Sequence, residues 1–291
     1  MSRISRLIFI CLFVINSSNA QKSEEKKEDI KVKITENFST KTNNVTILKN
    51  EFIIKNLNDI SHKIWVYLPP DYHQSKKNYP VIYMHDAQNL FDRKTSYAGE
   101  WEIDETLNTL YKKTGKSFIV IGIENGGEKR IEEYTPWPNR KYGGGKGAIY
   151  IDFIVETLKP YIDKKYRTKP ERKATALIGS SLGGLISYYG GLKHPKTFSK
   201  IGAFSTSFWF SANVHSFTKE KGALNKSRIY FIVGEKEGRN MIKGTEKTIE
   251  ILKSVGFPFK NITKKIVPEG VHNEALWKSE FLNAITFLYK L

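Results

Sequence analysis

Cysteine is nearly absent from this 291-residue chain, and the single one, Cys11, lies inside a short N-terminal apolar run. If that run is removed, the mature chain can form neither disulfide bonds nor cysteine-based zinc sites. The run Leu7–Ile15 has nine residues, whereas a helix that crosses a bilayer needs about 20. The sequence also lacks the lysine-ending motif of a phosphate-binding loop and a basic stripe interleaved with aromatic residues. Nucleotide and nucleic-acid partners are therefore not expected.

The N-terminus has the pattern of a secretory signal peptide. Arg3 and Arg6 precede the apolar run, and the small and polar residues that follow end at Ala20. A charged segment, a short apolar segment and a small-x-small cleavage site are the three parts of such a signal. We expect residues 1–20 to be removed, which leaves a secreted or periplasmic protein without a membrane span. An uncleaved anchor is the alternative.

Positive charge dominates the composition. The chain contains 47 Lys and Arg against 30 Asp and Glu, a formal charge of +17, which falls to +15 once Arg3 and Arg6 are removed. This excess favours anionic surfaces or acidic substrates, although scattered lysines on a solvated surface give the same number. Hydrophobic residues at 40% and aromatic residues at 13% suffice for a packed core. We expect a monomer or a weak homo-oligomer.

The order of apolar segments predicts one α/β domain over residues 45–291, after a polar leader at residues 21–44. Alternation in Ser61–Leu68 indicates a strand, and the segments before it add further antiparallel strands. Short, continuously apolar runs then recur, as expected of parallel strands covered on both faces. These runs are Val81–Met84, Phe118–Ile123, Thr175–Ile178, Ile201–Phe204, Ile229–Val233 and Asn261–Val267.

The segments between these runs have apolar residues at helical spacing. Strands that alternate with helices predict a mostly parallel central sheet with helices on both faces, the doubly wound α/β class. No internal repeat or linker divides this region. The predicted helices are Trp101–Tyr111, Ala148–Tyr161, Leu182–Leu192, Lys243–Val255 and Glu274–Leu291.

The motif with the clearest chemistry is Gly179-Ser180-Ser181-Leu182-Gly183. An apolar strand runs into it and an apolar helix leaves it, which is the context of a nucleophile elbow, where flanking glycines relieve crowding around the serine. We therefore predict Ser181 as the nucleophile. A glycine-rich turn without chemistry, or a phosphate-binding loop, would be the alternatives.

A serine nucleophile needs a base, and a base needs a group that orients it. Among the six histidines, His272 follows the last predicted strand in a glycine-containing loop, where the base comes last in chain order. The loop after Ile229–Val233 offers Glu235 and Glu237 as the acid. We favour Glu237, because the loop must extend beyond the strand to reach the histidine. Asp163 precedes the serine and fits less well, and a Ser-His dyad is the alternative.

Backbone N–H groups are expected to form the oxyanion hole. One is that of Leu182, directly after the nucleophile, and the other comes from the loop after Val81–Met84. In that loop Ala87 is the candidate, with Asp86 as the alternative. His85 ends the strand and is expected to shape this loop rather than to act as the base.

Two further groups of residues, 124–137 and 205–210, follow the carboxyl ends of predicted strands, where ligands bind in open α/β sheets. Their aromatic residues could pack on a sugar or aryl ring, or simply cap the core. Together with the oxyanion loop they give the candidate substrate-binding residues, which are Asp86, Asn125, Arg130, Trp137 and Trp209.

Four blocks follow one another along the chain: Tyr79–Asp86, Gly179–Gly184, Ser205–Phe210 and Gly270–Trp277. Together they resemble the esterase family related to esterase D, which includes feruloyl and acetylxylan esterases, siderophore esterases and mycolyltransferases. The resemblance covers about residues 45–291. It implies an α/β-hydrolase fold and ester hydrolysis through an acyl-enzyme without a metal ion or cofactor, with Ser181, His272 and Glu237 at the matching positions. One departure is Asp86-Ala87, where many relatives have Asp-Gly.

The expected function is that of a secreted serine esterase with a Ser-His-Glu triad, acting on a small-molecule or polysaccharide ester, above all an acylated carbohydrate. A siderophore esterase for a catecholate trilactone is an alternative that the positive charge suits. An acyltransferase would use the same residues and exclude water. A non-catalytic carbohydrate-binding protein on a hydrolase fold is the alternative of another class.

Overall fold

The computed structural model describes residues 38–57 and 59–291. The predicted signal peptide and most of the predicted leader lie outside the described residues, so the boundary at Val45 stays a prediction. Residues Lys41–Leu291 form one compact unit. Within the described part of the chain, no helix is long and apolar enough to cross a membrane.

A mixed sheet forms the centre of this unit. Over the described residues its eight strands lie in the order β1-β4-β6-β5-β7-β8-β9-β10, and a separate hairpin pairs β2 with β3. The strands from β6 to β10 in this order are parallel, whereas β4 pairs antiparallel with both β1 and β6. The predicted parallel sheet with antiparallel N-terminal strands is confirmed. The strands are Val45–Ile47 (β1), Phe52–Ile53 (β2), Ser61–His62 (β3), Ile64–Tyr67 (β4), Val81–His85 (β5), Ile119–Ile123 (β6), Thr175–Ser180 (β7), Lys200–Phe204 (β8), Arg228–Gly234 (β9) and Ile262–Val267 (β10).

Helices cover the sheet on both faces because neighbouring strand residues point in opposite directions. Along β5, Val81 and Tyr83 belong to one buried apolar cluster, whereas Ile82 and Met84 belong to the other. Each cluster packs against its own set of helices. The described helices are Ile103–Thr114 (α1), Arg130–Tyr134 (α2), Gly147–Phe153 (α3), Lys159–Lys165 (α4), Leu182–Lys193 (α5), Asn213–Gly222 (α6), Arg239–Ser254 (α7) and Glu274–Tyr289 (α8).

Two helical segments differ from the sequence-based prediction. The predicted helix Ala148–Tyr161 is interrupted, because a π-helical turn at Ile154–Leu158 separates α3 from α4. Pro160 is the second residue of α4 and has no N–H to donate to the preceding helical turn, so the helical hydrogen bonds are interrupted here. Helix α6 was not predicted from the sequence. Its segment is polar, because it buries little besides Val214 and Thr218 and has no broad apolar stripe.

Candidate active site

Ser181 occupies the turn between β7 and α5 in a conformation that the surrounding backbone enforces. Its φ of 57° and ψ of −121° lie outside the regions that L-residues normally occupy. A Cβ atom on Gly179 would lie 2.6 Å from the Gly183 carbonyl oxygen, so the turn is this tight only with glycine there. The Ser181 N–H donates to the Phe204 carbonyl at 2.9 Å. This is the geometry of a nucleophile elbow.

The Ser181 side chain is directed at a neighbouring hydroxyl. Its Oγ lies 3.3 Å from Oγ of Ser207, and the Ser207 N–H donates to the Ser181 carbonyl at 3.1 Å. Ser181 and His272 line the same cleft. Catalytic hydrogen bonds are often long or misaligned in a ligand-free protein and tighten when substrate binds.

His272, which lines the cleft together with Ser181, forms a close pair with Glu237. His272 Nδ1 lies 2.7 Å from Glu237 Oε2. The other carboxylate oxygen, Oε1, accepts hydrogen bonds from Ser205 Oγ at 2.6 Å and from the Gly234 N–H at 2.7 Å. The Glu237 side chain is fully buried, and both of its oxygens are engaged.

Glu235, the other acid candidate, lies apart from the histidine. It is exposed, and its Oε2 accepts a long hydrogen bond of 3.4 Å from the Glu269 N–H. Both glutamates belong to one 3₁₀ turn at Glu235–Glu237. The turn directs Glu237 back over the end of β9, whereas Glu235 faces solvent.

The loops that carry Glu237 and His272 are in van der Waals contact. A Cβ atom on Gly234 would overlap the Gly270 carbonyl, and a Cβ atom on Gly270 would lie 2.9 Å from the Gly234 Cα. Gly234 is paired with Val267 at the end of β10, and the Lys236 N–H donates to the Gly270 carbonyl at 2.9 Å. Two glycines therefore permit the approach that joins Glu237 to His272.

Ser205 and Trp277 support this pair, and sequence reasoning assigned neither of them a role. Ser205 follows β8 with a φ of 44°, and its Oγ accepts a hydrogen bond from Trp277 Nε1 at 2.8 Å while donating to Glu237. The Trp277 ring also stands edge-on to the His272 imidazole, with ring centres 5.2 Å apart. The buried serine links the tryptophan to the acid.

The two backbone amides that the sequence suggests for the oxyanion hole lie at helix starts. Leu182 is the first residue of α5, and Ala87 begins a 3₁₀ turn at Ala87–Asn89. The first N–H groups of a helix lack intrahelical partners. The Asp86 N–H, the alternative oxyanion donor, instead donates to Tyr134 Oη at 3.1 Å. Asp86 itself carries the positive φ of 57° in this loop, so alanine is tolerated at the next position.

An ion pair fixes the same loop from the other side. The two carboxylate oxygens of Asp86 accept hydrogen bonds from Arg130 Nε at 2.7 Å and Nη2 at 2.8 Å, a bidentate arrangement. Asn125 Nδ2 donates to Asp86 Oδ1 at 2.6 Å. Burial acts to raise the pKa of Asp86, but Arg130 and these hydrogen bonds outweigh it and hold the pKa below its usual value.

His85 is buried beneath the site and unsuited to the role of base. Its Nδ1 lies 2.9 Å from Tyr150 Oη. Burial, together with the charge of Arg130, lowers the pKa of His85 to about 4, although Asp86 acts in the opposite direction. The imidazole is therefore neutral near neutral pH, as expected of a residue that shapes the oxyanion loop.

The cleft over these groups has a volume of about 840 Å³. Three of the predicted substrate-binding residues line it. Several others that line it were not singled out from the sequence, because they lie in loops without periodicity or in the first turn of α8. The three predicted residues are Asp86, Asn125 and Arg130, and the others include Gln88, Asn89, Tyr97, Trp101, Glu128 and Glu274.

Residues 57–288 match the sequence profile of the family described as "Putative esterase". The chain belongs to this esterase family. It has the α/β-hydrolase fold, and it is a carboxylic ester hydrolase.

Known proteins similar to this esterase include enzymes of different length. "Uncharacterized protein YbbA" of Bacillus subtilis is 29% identical over 245 residues, which are 79% of this chain and 93% of that protein. "Endo-1,4-beta-xylanase/feruloyl esterase" of Xylanibacter ruminicola is 26% identical over 225 residues, 73% of this chain but 27% of that protein. The structure of siderophore hydrolase EstB from Aspergillus nidulans superposes with a TM-score of 0.67 at 16% identity, over 86% of this chain and 96% of that one.

Two tryptophans predicted to bind substrate lie elsewhere in the esterase. Trp137 packs edge-on against Tyr189 and Phe217. Trp209 is 52% exposed and contacts Tyr142. Among the described residues, neither tryptophan belongs to the lining of the cleft. Their part in substrate binding stays a prediction.

Proposed function

We propose that this protein is a secreted serine esterase that cleaves carboxylic esters through an acyl-enzyme on Ser181. His272 takes the proton from Ser181 Oγ as Oγ attacks the ester carbonyl, and then gives it to the leaving alcohol. A water molecule then attacks the acyl-enzyme, and His272 takes a proton from that water. His272 returns the proton to Ser181 Oγ as the carboxylic acid leaves, which restores the serine. Glu237 orients the imidazole and stabilises its protonated form.

The observation that carries this proposal is the 2.7 Å contact between His272 Nδ1 and Glu237 Oε2 at a cleft that Ser181 also lines. With Nδ1 held by the carboxylate, Nε2 is the nitrogen left for the serine. A buried carboxylate behind a half-exposed imidazole, next to a serine on a strained turn, is an arrangement that activates a nucleophile.

The N–H groups of Leu182 and Ala87 are proposed to hold the oxyanion. Both stand at helix starts, where the backbone dipoles favour negative charge. The choice of Ala87 over Asp86 follows from the hydrogen bond that the Asp86 N–H already donates to Tyr134. The ion pair of Asp86 with Arg130 keeps this loop in place.

The cleft favours a neutral ester with a ring. Tyr97, which is 94% exposed, stands on its wall and offers a flat face to an aryl or sugar ring. An acylated carbohydrate, as in the relative named a feruloyl esterase, provides both kinds of ring.

The charges of the cleft argue against an anionic catecholate trilactone. Three carboxyl groups line the cleft, those of Asp86, Glu128 and Glu274, and Arg130 is already engaged by Asp86. The positive charge of the whole chain therefore does not extend into the cleft. A siderophore ester is the second candidate substrate, and a transferase reaction would use the same groups with an alcohol in place of water.

Ser181→Ala tests the chemistry. We expect this variant to lose hydrolysis of a p-nitrophenyl ester and labelling by a fluorophosphonate probe, while Ser207→Ala keeps the labelling. Retained turnover in Ser181→Ala would exclude Ser181 as the nucleophile. A wild-type protein that the probe does not label would favour the non-catalytic carbohydrate-binding alternative.

A substrate panel separates the candidate esters. We expect higher kcat/KM for a feruloyl or acetyl ester of a xylan oligosaccharide than for a catecholate trilactone. The reverse order would support the siderophore alternative, and products formed with an added sugar alcohol would reveal acyl transfer. Secretion is tested separately, since the N-terminus of the exported protein should begin after Ala20.

A further inference from the structure

A cluster of three carboxylates lies outside the catalytic machinery. Glu100, Asp104 and Glu105 each place one carboxylate oxygen within 4.8 Å of the others. Asp104 and Glu105 belong to the first turn of α1, and Glu100 precedes that helix. Asp104 is fully buried, and the other two are partly buried.

Only one of the two carboxylate oxygens of Asp104 has a hydrogen-bond partner among the described residues. Its Oδ2 accepts hydrogen bonds from the Thr42 N–H at 2.8 Å and from Thr42 Oγ1 at 2.6 Å. Its Oδ1 is buried and has no hydrogen-bond partner among the described residues, and the same holds for Oε2 of Glu105. Buried carboxylate oxygens without a donor are costly.

The start of the helix accounts for only part of this arrangement. Acidic residues in the first turn interact favourably with the helix dipole, but that interaction supplies no donor to the two oxygens. Within residues 38–57 and 59–291, no Lys or Arg forms an ion pair with Asp104 or Glu105.

We propose that Glu100, Asp104 and Glu105 bind a divalent cation of the calcium type, which ties the first turn of α1 to the segment just before that helix. Calcium takes six to eight oxygen ligands at about 2.3–2.6 Å. Two ligands of one such ion lie at most about 5.2 Å apart, so three oxygens within 4.8 Å of one another can reach a common ion. Magnesium, with ligands at about 2.0–2.1 Å and a preference for retained water, fits less well.

The ion is structural in this proposal and takes no part in ester cleavage. The segment that holds the proposed ion nevertheless continues into the cleft. Trp101, which follows Glu100, lines the cleft, and its backbone N–H donates to the Asn89 carbonyl at 2.9 Å. Binding would therefore stiffen one wall of the cleft as well as stabilise the fold.

The test is thermal unfolding of the mature chain after chelation, with and without calcium chloride. An ion that binds only the folded state raises the melting temperature, and about 1 mM calcium at a dissociation constant near 10 μM gives a rise of roughly 5 °C. Terbium gives a second signal, since Trp101 lies next to Glu100 in the chain and can sensitise its luminescence.

Glu105→Gln is the main variant, because it leaves the bonds between Thr42 and Asp104 intact. We expect it to lose the calcium shift and the terbium signal, while melting in chelator no earlier than the wild type. Glu102→Gln is the matched control: Glu102 lies in the same segment, but it pairs with Lys278, and this variant should keep both signals. The proposal is overturned if calcium leaves the wild type unchanged, or if the shift persists in Glu105→Gln.

Discussion

The imidazole Nδ1 of His272 lies 2.7 Å from Oε2 of Glu237, and the two side chains differ in exposure, at 40% and 0%. The exposed side of the imidazole is open to the cleft, whereas the carboxylate is fixed from behind by Ser205 and Gly234. This relationship separates two glutamates that are two residues apart in the chain, and it leads to the first prediction.

Glu237→Gln should lower kcat for a p-nitrophenyl ester by about 10²- to 10⁴-fold, because an amide cannot stabilise the protonated imidazole and can impose the wrong tautomer. Glu235→Gln is the matched control, and its kcat should stay within about twofold of the wild type. Steady-state kinetics of both variants at one pH decide which of the two glutamates orients His272. A larger loss in Glu235→Gln would reverse the assignment, and equal small losses would favour a Ser-His dyad.

Ser205→Ala should destabilise the fold as well as slow the reaction. The variant removes a donor to the buried Glu237 and leaves Trp277 Nε1 without its acceptor, so we expect a loss of about 1–3 kcal/mol in the free energy of unfolding. Urea denaturation measures this change. Ser279→Ala, which removes a hydroxyl bonded to the Leu276 carbonyl of its own helix, should cost less. Equal costs would argue that Ser205 is not a support of the acid.

Tyr97→Ala should raise KM for a feruloyl ester by about fivefold, since the loss of an exposed ring on the cleft wall removes roughly 1 kcal/mol of stacking. It should change kcat/KM for p-nitrophenyl acetate little. Trp209→Ala removes another exposed aromatic ring, which lies outside the cleft lining, and KM of this control variant should not change. If Trp209→Ala instead weakens feruloyl binding and Tyr97→Ala does not, the earlier assignment of Trp209 to the substrate is the correct one.

The stability of the protein should depend on pH through His85. Its folded pKa of about 4 lies below the usual 6.5, so between these values the unfolded chain binds a proton that the folded chain does not. The contribution is fully present above pH 6.5 and is lost as the pH falls towards 4, a difference of roughly 3 kcal/mol. Urea denaturation across this window should give a flatter dependence for His85→Gln. His73→Gln, at an exposed position, should retain the wild-type slope.

The sequence by itself determined the fold class and the edge of the sheet at which the site lies. Continuous apolar runs and helical spacing are local patterns, and a sheet buried on both faces needs them in every strand, so they predicted the order of strands and helices. The same order put Ser181 and His272 at the carboxyl ends of strands. It failed at the helix Ala148–Tyr161, because a single period does not reveal a π-helical turn.

Only the tertiary structure decided which side chains meet. Glu237 and His272 are 35 residues apart, and their contact depends on the pairing of β9 with β10 and on the approach of Gly234 to Gly270. Neither condition leaves a local pattern in the chain. The same reason explains why the place of Tyr97 and Glu274 in the cleft and the support from Ser205 and Trp277 had no sequence signal. Each consists of residues from separate segments that only the packing of the chain brings together.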